Sequence, residues 1–126
     1  MFHRPQVILF SDDLPRAVSF YEALGFVETF RTPAEGEPIH IDLVLDGYRI
    51  GIASGGSTRD DHGLDPITVG QRAAVVVWTD DTAAAYSQLT TGSCSALKPP
   101  HQWLDRLLIA WLADPDGNPV QIVQDL

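Results

Sequence analysis

The chain has 126 residues, 44% of them hydrophobic, and its eight Lys and Arg face 17 Asp and Glu for a formal net charge of −9. That length fits one domain with a real core, and the acidity argues against nucleic acid and anionic membranes as partners while leaving room for a cationic ligand. No apolar run reaches the roughly 18–20 residues of a membrane helix, the N-terminus lacks a secretory pattern, and the lone Cys94 excludes an intramolecular disulfide, which fits a cytoplasmic setting.

In chain order, Gln6–Ser11 is a short β-leaning apolar run. Asp12 and Asp13 then offer a helix N-cap, Pro15 suits a first turn, and Leu14, Ala17, Val18, Tyr21 and Leu24 recur at helical spacing before Gly25. Phe26–Arg31, His40–Leu45 and Tyr48–Ala53 read as strands, the last two joined at Asp46-Gly47, a tight hairpin signal. Ser54–Gln71 is rich in Gly, Ser and Asp without periodicity, which predicts a flexible linker or lid.

The same grammar then repeats. Ala73–Thr79 predicts a strand; Asp80, Asp81 and Thr82 supply capping oxygens; Ala84, Ala85, Tyr86 and Leu89 fall on a short helix that ends near Gly92. A weaker strand over Ser95–Lys98 is expected to break at Pro99-Pro100, and Arg106–Ala113 and Pro119–Gln124 form a last hairpin around Asp114–Asn118. The prediction is therefore an α+β chain of two tandem βαβββ units, unit one over residues 1–53, the linker over 54–71 and unit two over 72–126.

"SDDLPRAVSFYEALGF" and "LADPDGNPVQIVQ" resemble the opening and closing signatures of the vicinal oxygen chelate superfamily of glyoxalases, bleomycin-resistance proteins and extradiol dioxygenases. The resemblance spans nearly the whole chain outside the linker. It implies that each unit forms a half-barrel sheet with a helix on its outer face, and that two halves enclose a cavity, often across a dimer interface. In metal-using members the ligands stand at places that fall here on Gln6, about Gly51, about Ala74 and Gln121. Gly51 and Ala74 carry no donor and Gln121 replaces a glutamate, so the resemblance implies no metal ligands and no cofactor.

The histidines His3, His40, His62 and His101 have no spacing of a known metal site. Most carboxylates fall at caps, turns and the linker; Asp42 and Glu28 lie in strands and face either a cavity or solvent. No nucleophile elbow or phosphate loop is present, so no catalytic residue is assigned. Strand alternation from the family's ligand places puts Gln6, Ile8, Phe10, Arg49, Trp78, Ile109, Trp111 and Gln121 on a ligand-facing surface, with the alternative that the aromatics simply fill the core. "LKPPHQWLDRLLIAWLADPDGNPVQIVQDL" further resembles the antibiotic-binding branch, where a tryptophan in the place of Trp103 helps form a drug groove; a dimer contact is the other reading of Trp103.

These residues lead to an expectation of metal-free binding, with possible sequestration, of a planar, largely apolar molecule such as a bleomycin- or mitomycin-type antibiotic. The alternatives are a metal-dependent glyoxalase-like lyase or dioxygenase with irregular ligands, and an interaction domain whose cavity is plugged by its own aromatics. A cytoplasmic homodimer is expected, because half-barrels leave edges and apolar faces that pairing covers.

Overall fold

The computed structural model describes residues 1, 3–92 and 94–126 and divides the chain into two compact units, Met1–Thr68 and Val69–Leu126. In the first, β1 (Val7–Ser11), α1 (Leu14–Ala23), β2 (Val27–Thr32), β3 (His40–Leu45) and β4 (Tyr48–Ser54) follow in order. The four strands form a sheet ordered β1-β4-β3-β2, with β1 parallel to β4 and the other pairs antiparallel. The second unit repeats this plan with β5 (Val75–Trp78), α3 (Thr82–Thr90), β6 (Ser95–Trp103), β7 (Leu107–Ala113) and β8 (Pro119–Asp125) in a sheet ordered β5-β8-β7-β6. The chain is thus α+β, with two mixed four-stranded sheets built from tandem βαβββ units.

Each helix starts where a carboxylate can cap it. Asp13 accepts from the Arg16 N–H and Asp81 from the Ala84 N–H, satisfying donors that the first turn leaves open. α1 packs on β3 and β4, so Leu14, Ala17, Val18 and Tyr21 are buried together with Leu9, Ile41, Leu43, Ile50 and Ile52. Such side chains contribute roughly 1.5–3 kcal/mol each on burial. Tyr21 lies edge-on to both Phe20 and Phe26, which fixes the helix's lower end against the sheet. In the second unit α3 packs on β6, β7 and β8, where Ala110, Leu112, Val120 and Ile122 are buried. Thr82 locks its start: the backbone N–H donates to Gln124 Oε1 at 2.6 Å and the hydroxyl to the Leu108 carbonyl at 3.3 Å.

Two expectations need correction. The segment expected to be an irregular linker contains a helix, α2 (Gly55–His62). Its polar sequence buries only Gly55 and Thr58, so periodicity cannot reveal it; its caps form it instead. Ser54 Oγ accepts from the Ser57 N–H, and Gly63, at φ 69, turns back its N–H onto the Arg59 carbonyl. His62 therefore sits in a helix's last turn. Second, Pro99-Pro100 do not end β6, which continues to Trp103 and places His101 opposite Ile109. β6 is an edge strand, and its register shifts between Ala96 and Lys98 and between Lys98 and His101. An edge tolerates residues without an N–H, and irregular register absorbs them. The β6–β7 turn puts Leu104 and Asp105 both at φ 57, a conformation that residues other than glycine adopt at some cost.

The turn before β8 is held by one buried side chain. Asp114 Oδ1 accepts from the N–H groups of Asp116 and Asn118 at 2.9 and 2.8 Å, and Oδ2 from Asn118 Nδ2 at 2.9 Å. Asp114, Asp116 and Asn118 are all buried, so these donors have no recourse to water. Asp114→Ala is expected to lower stability by about 2–4 kcal/mol in urea unfolding; a loss under about 0.5 kcal/mol would show that the turn is held by other contacts.

Candidate functional site

With period-two alternation, the register of each sheet defines a face that its helix does not cover. In the first unit one row across the sheet reads Ile8, Gly51, Asp42, Phe30, and the next Phe10, Ala53, His40, Thr32. Arg49, opposite Val44, extends the same face. Of the residues anticipated here, Ile8 is exposed, Phe10 and Arg49 are half-buried, and Gln6, just ahead of β1, reaches across the face. The Arg49 Nε is buried with no hydrogen-bond partner.

The centre of this face is polar. Gln6 Nε2 donates to Asp42 Oδ1 at 2.6 Å, and His40 Nε2 lies 2.7 Å from the same oxygen. Phe30 is edge-on to the His40 ring with centroids 6.3 Å apart. Gly51 makes this clustering possible: a Cβ there would lie 2.9 Å from Gln6 Nε2 and 3.1 Å from His40 Cε1. His40, Asp42 and Phe30 were not among the anticipated ligand residues. The signal for the first two was present in the sequence, since two residues apart on one strand share a face, and that face is Gly51's.

In the second unit Trp78, Val123, Ile109 and His101 form one row, and Val76, Gln121, Trp111 and Lys98 the next. Leu107 pairs with Trp103 and with Asp125. The anticipated Trp78, Trp103, Ile109, Trp111 and Gln121 thus share one face. Their exposures differ, however. Trp78 and Trp103 are 61% and 54% exposed, Trp111 and Gln121 are half-buried, and Ile109 is buried with Leu107 and Val123 beneath Trp111. At the end of this sheet Trp78, Thr79, Asp80 and Asp125 line an open cleft of about 480 Å³.

Glu28 and Arg31 form a bidentate pair at 2.8 and 3.1 Å; the guanidinium's hydrogen bonds hold the Glu28 carboxyl below its ordinary range, and the pair raises the guanidinium in turn. The pair is solvated, so its effect on stability is small. Partial burial pushes the Cys94 thiol up, which disfavours the reactive thiolate.

The family's metal places do not offer a fitting donor set. Gly51 has no side chain and the space above it is taken by Gln6 and His40; Ala74 precedes β5, and Gln121 lies between Val76 and Trp111. His40 Nε2 and Asp42 Oδ1 are directed at each other, and among the described residues no three His, Cys, Asp or Glu gather around one point.

Gly51→Ala is expected to cost under about 1 kcal/mol in thermal unfolding, because the atoms it meets are the ends of side chains. It should nevertheless shift the Gln6 side-chain amide signal in 1H–15N spectra as the bond to Asp42 is displaced. An unmoved amide would mean that Gly51 does not govern the cluster.

The family described as the Glyoxalase/Bleomycin resistance protein/Dioxygenase superfamily matches residues 3–122. No curated protein matches the chain. Among solved structures, a glyoxalase/bleomycin resistance protein/dioxygenase from Nocardioides is similar at TM-score 0.77 and 20% identity, over 100% of this chain and 87% of that one. A glyoxalase-related enzyme from Fulvimarina pelagi is similar at 0.79 and 20%, over 98% and 88%. TioX from Micromonospora sp. ML1 is similar at 0.75 and 23%, over 99% and 100%. At these identities the likeness is one of fold.

Proposed function

The chain belongs to the Glyoxalase/Bleomycin resistance protein/Dioxygenase superfamily, and from that premise we propose that it binds a planar, largely apolar small molecule without a metal, as in the sequestering of a bleomycin- or mitomycin-type antibiotic. The observation that carries this reading is the set of three indoles on one sheet face, with Trp78 and Trp103 largely exposed and Trp111 half-buried over an apolar base. Exposed indoles offer large, rigid surfaces for stacking on a flat ring. An apolar surface with a few placed polar groups is what small-molecule sites are generally made of. The net charge of −9 suits a cationic drug better than a neutral one.

Capture would be stoichiometric, with no bond made or broken. A homodimer in the cytoplasm is part of the same proposal: Val27, Phe30, Ile8 and Val76 are exposed apolar residues that pairing would cover, Trp103 being either groove or contact. The second reading, a metal-dependent lyase or dioxygenase with irregular ligands, draws on the proximity of His40 and Asp42.

Titration of chelator-treated protein with bleomycin and mitomycin, followed by tryptophan fluorescence, tests the proposal. Saturable quenching is expected, weakened up to about tenfold in Trp103→Ala or Trp111→Ala, in keeping with stacking energies of roughly 0.5–1.5 kcal/mol. No response to either drug, with a stoichiometric response to Zn²⁺, Ni²⁺, Mn²⁺ or Fe²⁺, would favour the enzyme instead.

A further inference from the structure

The polar cluster of the first unit holds one imidazole in a single orientation. His40 Nε2 lies 2.7 Å from Asp42 Oδ1, and Gln6 Nε2 donates to the same oxygen at 2.6 Å. A carboxylate only accepts, so the ring nitrogen that faces it carries the hydrogen. In the neutral imidazole this leaves the lone pair on Nδ1. The Asp42 side chain is only 14% exposed, and the Gln6 amide holds the oxygen that in turn holds the ring.

Nδ1 itself is open. The His40 side chain is 26% exposed, and among the described residues Nδ1 has no hydrogen-bond partner and is not a sealed polar atom. Gly51 keeps the ring where it is: a Cβ there would lie 3.1 Å from His40 Cε1 and 3.2 Å from Nε2. An imidazole held by a carboxylate at one nitrogen and open at the other is arranged as a general base with its orienting group.

The surroundings select the acid. Phe30 lies edge-on to the imidazole and is 51% exposed, and Ile8, 43% exposed, stands in the row that joins Gly51, Asp42 and Phe30. These side chains offer a flat ring an apolar surface beside the base. Hydrolysis would call in addition for donors aimed at an oxyanion. Proton abstraction from a ring that itself takes up the electron pair needs only the base and the surface. We propose that His40, through Nδ1, is a general base for planar aromatic carbon acids, with Asp42 and Gln6 as positioning residues that touch no substrate. The site lies in the first unit and stands apart from capture by the indoles of the second, so either can fail alone.

The probe is 5-nitrobenzisoxazole. Nδ1 takes the proton from the ring carbon next to nitrogen, and that C–H pair becomes the third bond of a nitrile. The N–O bond breaks with its pair on oxygen, giving 2-cyano-4-nitrophenolate, and the proton passes from Nδ1 to water. Phenolate absorbance follows the rate. Per site the protein is expected to exceed free imidazole by about tenfold or more, within the range that positioned bases supply. Deuterium at the abstracted position should slow the reaction severalfold, and His40→Gln should remove the excess rate. Asp42→Leu keeps the imidazole without its orienting acceptor. It should lose most of the excess, and the His40 15N signals should lose the pattern of a protonated Nε2 and a bare Nδ1 that the unsubstituted protein shows. A rate no greater than that of imidazole, or one retained in His40→Gln, would overturn the proposal. So would a neutral His40 ring protonated at Nδ1 in the unsubstituted protein, a result that depends on no variant.

Discussion

A four-stranded sheet has two faces, and each βαβββ unit supplies one helix to cover one of them. That shortage organises the molecule. In the first unit α1 takes Leu9, Ile41, Leu43, Ile50 and Ile52, all at most 5% exposed, and period-two alternation then commits their neighbours to the opposite face. The residues left there include Ile8 and Phe30, both exposed. Moving any one strand by a single residue would exchange the two sets. The helix-free face is therefore fixed by the core behind it, and its chemistry is what each unit has available for recognition.

The two units spend that freedom differently. The second presents indoles over a buried base of Leu107, Ile109 and Val123, a surface suited to stacking and poor in charge at its centre. The first presents a carboxylate held by an amide and an imidazole, above a glycine whose missing side chain makes room for both. The volume that a side chain at Gly51 would fill holds the Gln6–Asp42–His40 hydrogen-bond cluster.

Most of the scaffold was legible because it rests on short-range rules. Asp13 and Asp81 announce both long helices as N-caps, and Asp46-Gly47 announces a hairpin whose residues indeed sit at φ 50 and 79. The elements that escaped prediction are those whose support is not written in hydropathy. α2 has a polar sequence and depends on Ser54 and Gly63 at its ends. The β6–β7 turn runs through Leu104 and Asp105, with no glycine to mark its positive φ values, and β6 survives two prolines because it is an edge. At the candidate site, alternation placed Gln6, Ile8, Phe10, Arg49, Trp78, Ile109, Trp111 and Gln121 on a ligand-facing surface, and the resemblance added Trp103, but neither could give exposure, so the burial of Ile109 was not visible. The partnership of His40 and Asp42 with Gln6 required the register between β1, β4 and β3, which is a tertiary fact.

Recognition by the helix-free faces leaves a signature in where a bound ligand is felt. Mapping 1H–15N chemical-shift changes over the whole chain during a bleomycin titration tests it most directly. The Trp78, Trp103 and Trp111 indole N–H signals and the backbone of β7 and β8 are expected to shift together and saturably while α1 and α3 stay in place. Changes confined to α1, α3 or the segment around α2, with the indoles unmoved, would contradict it.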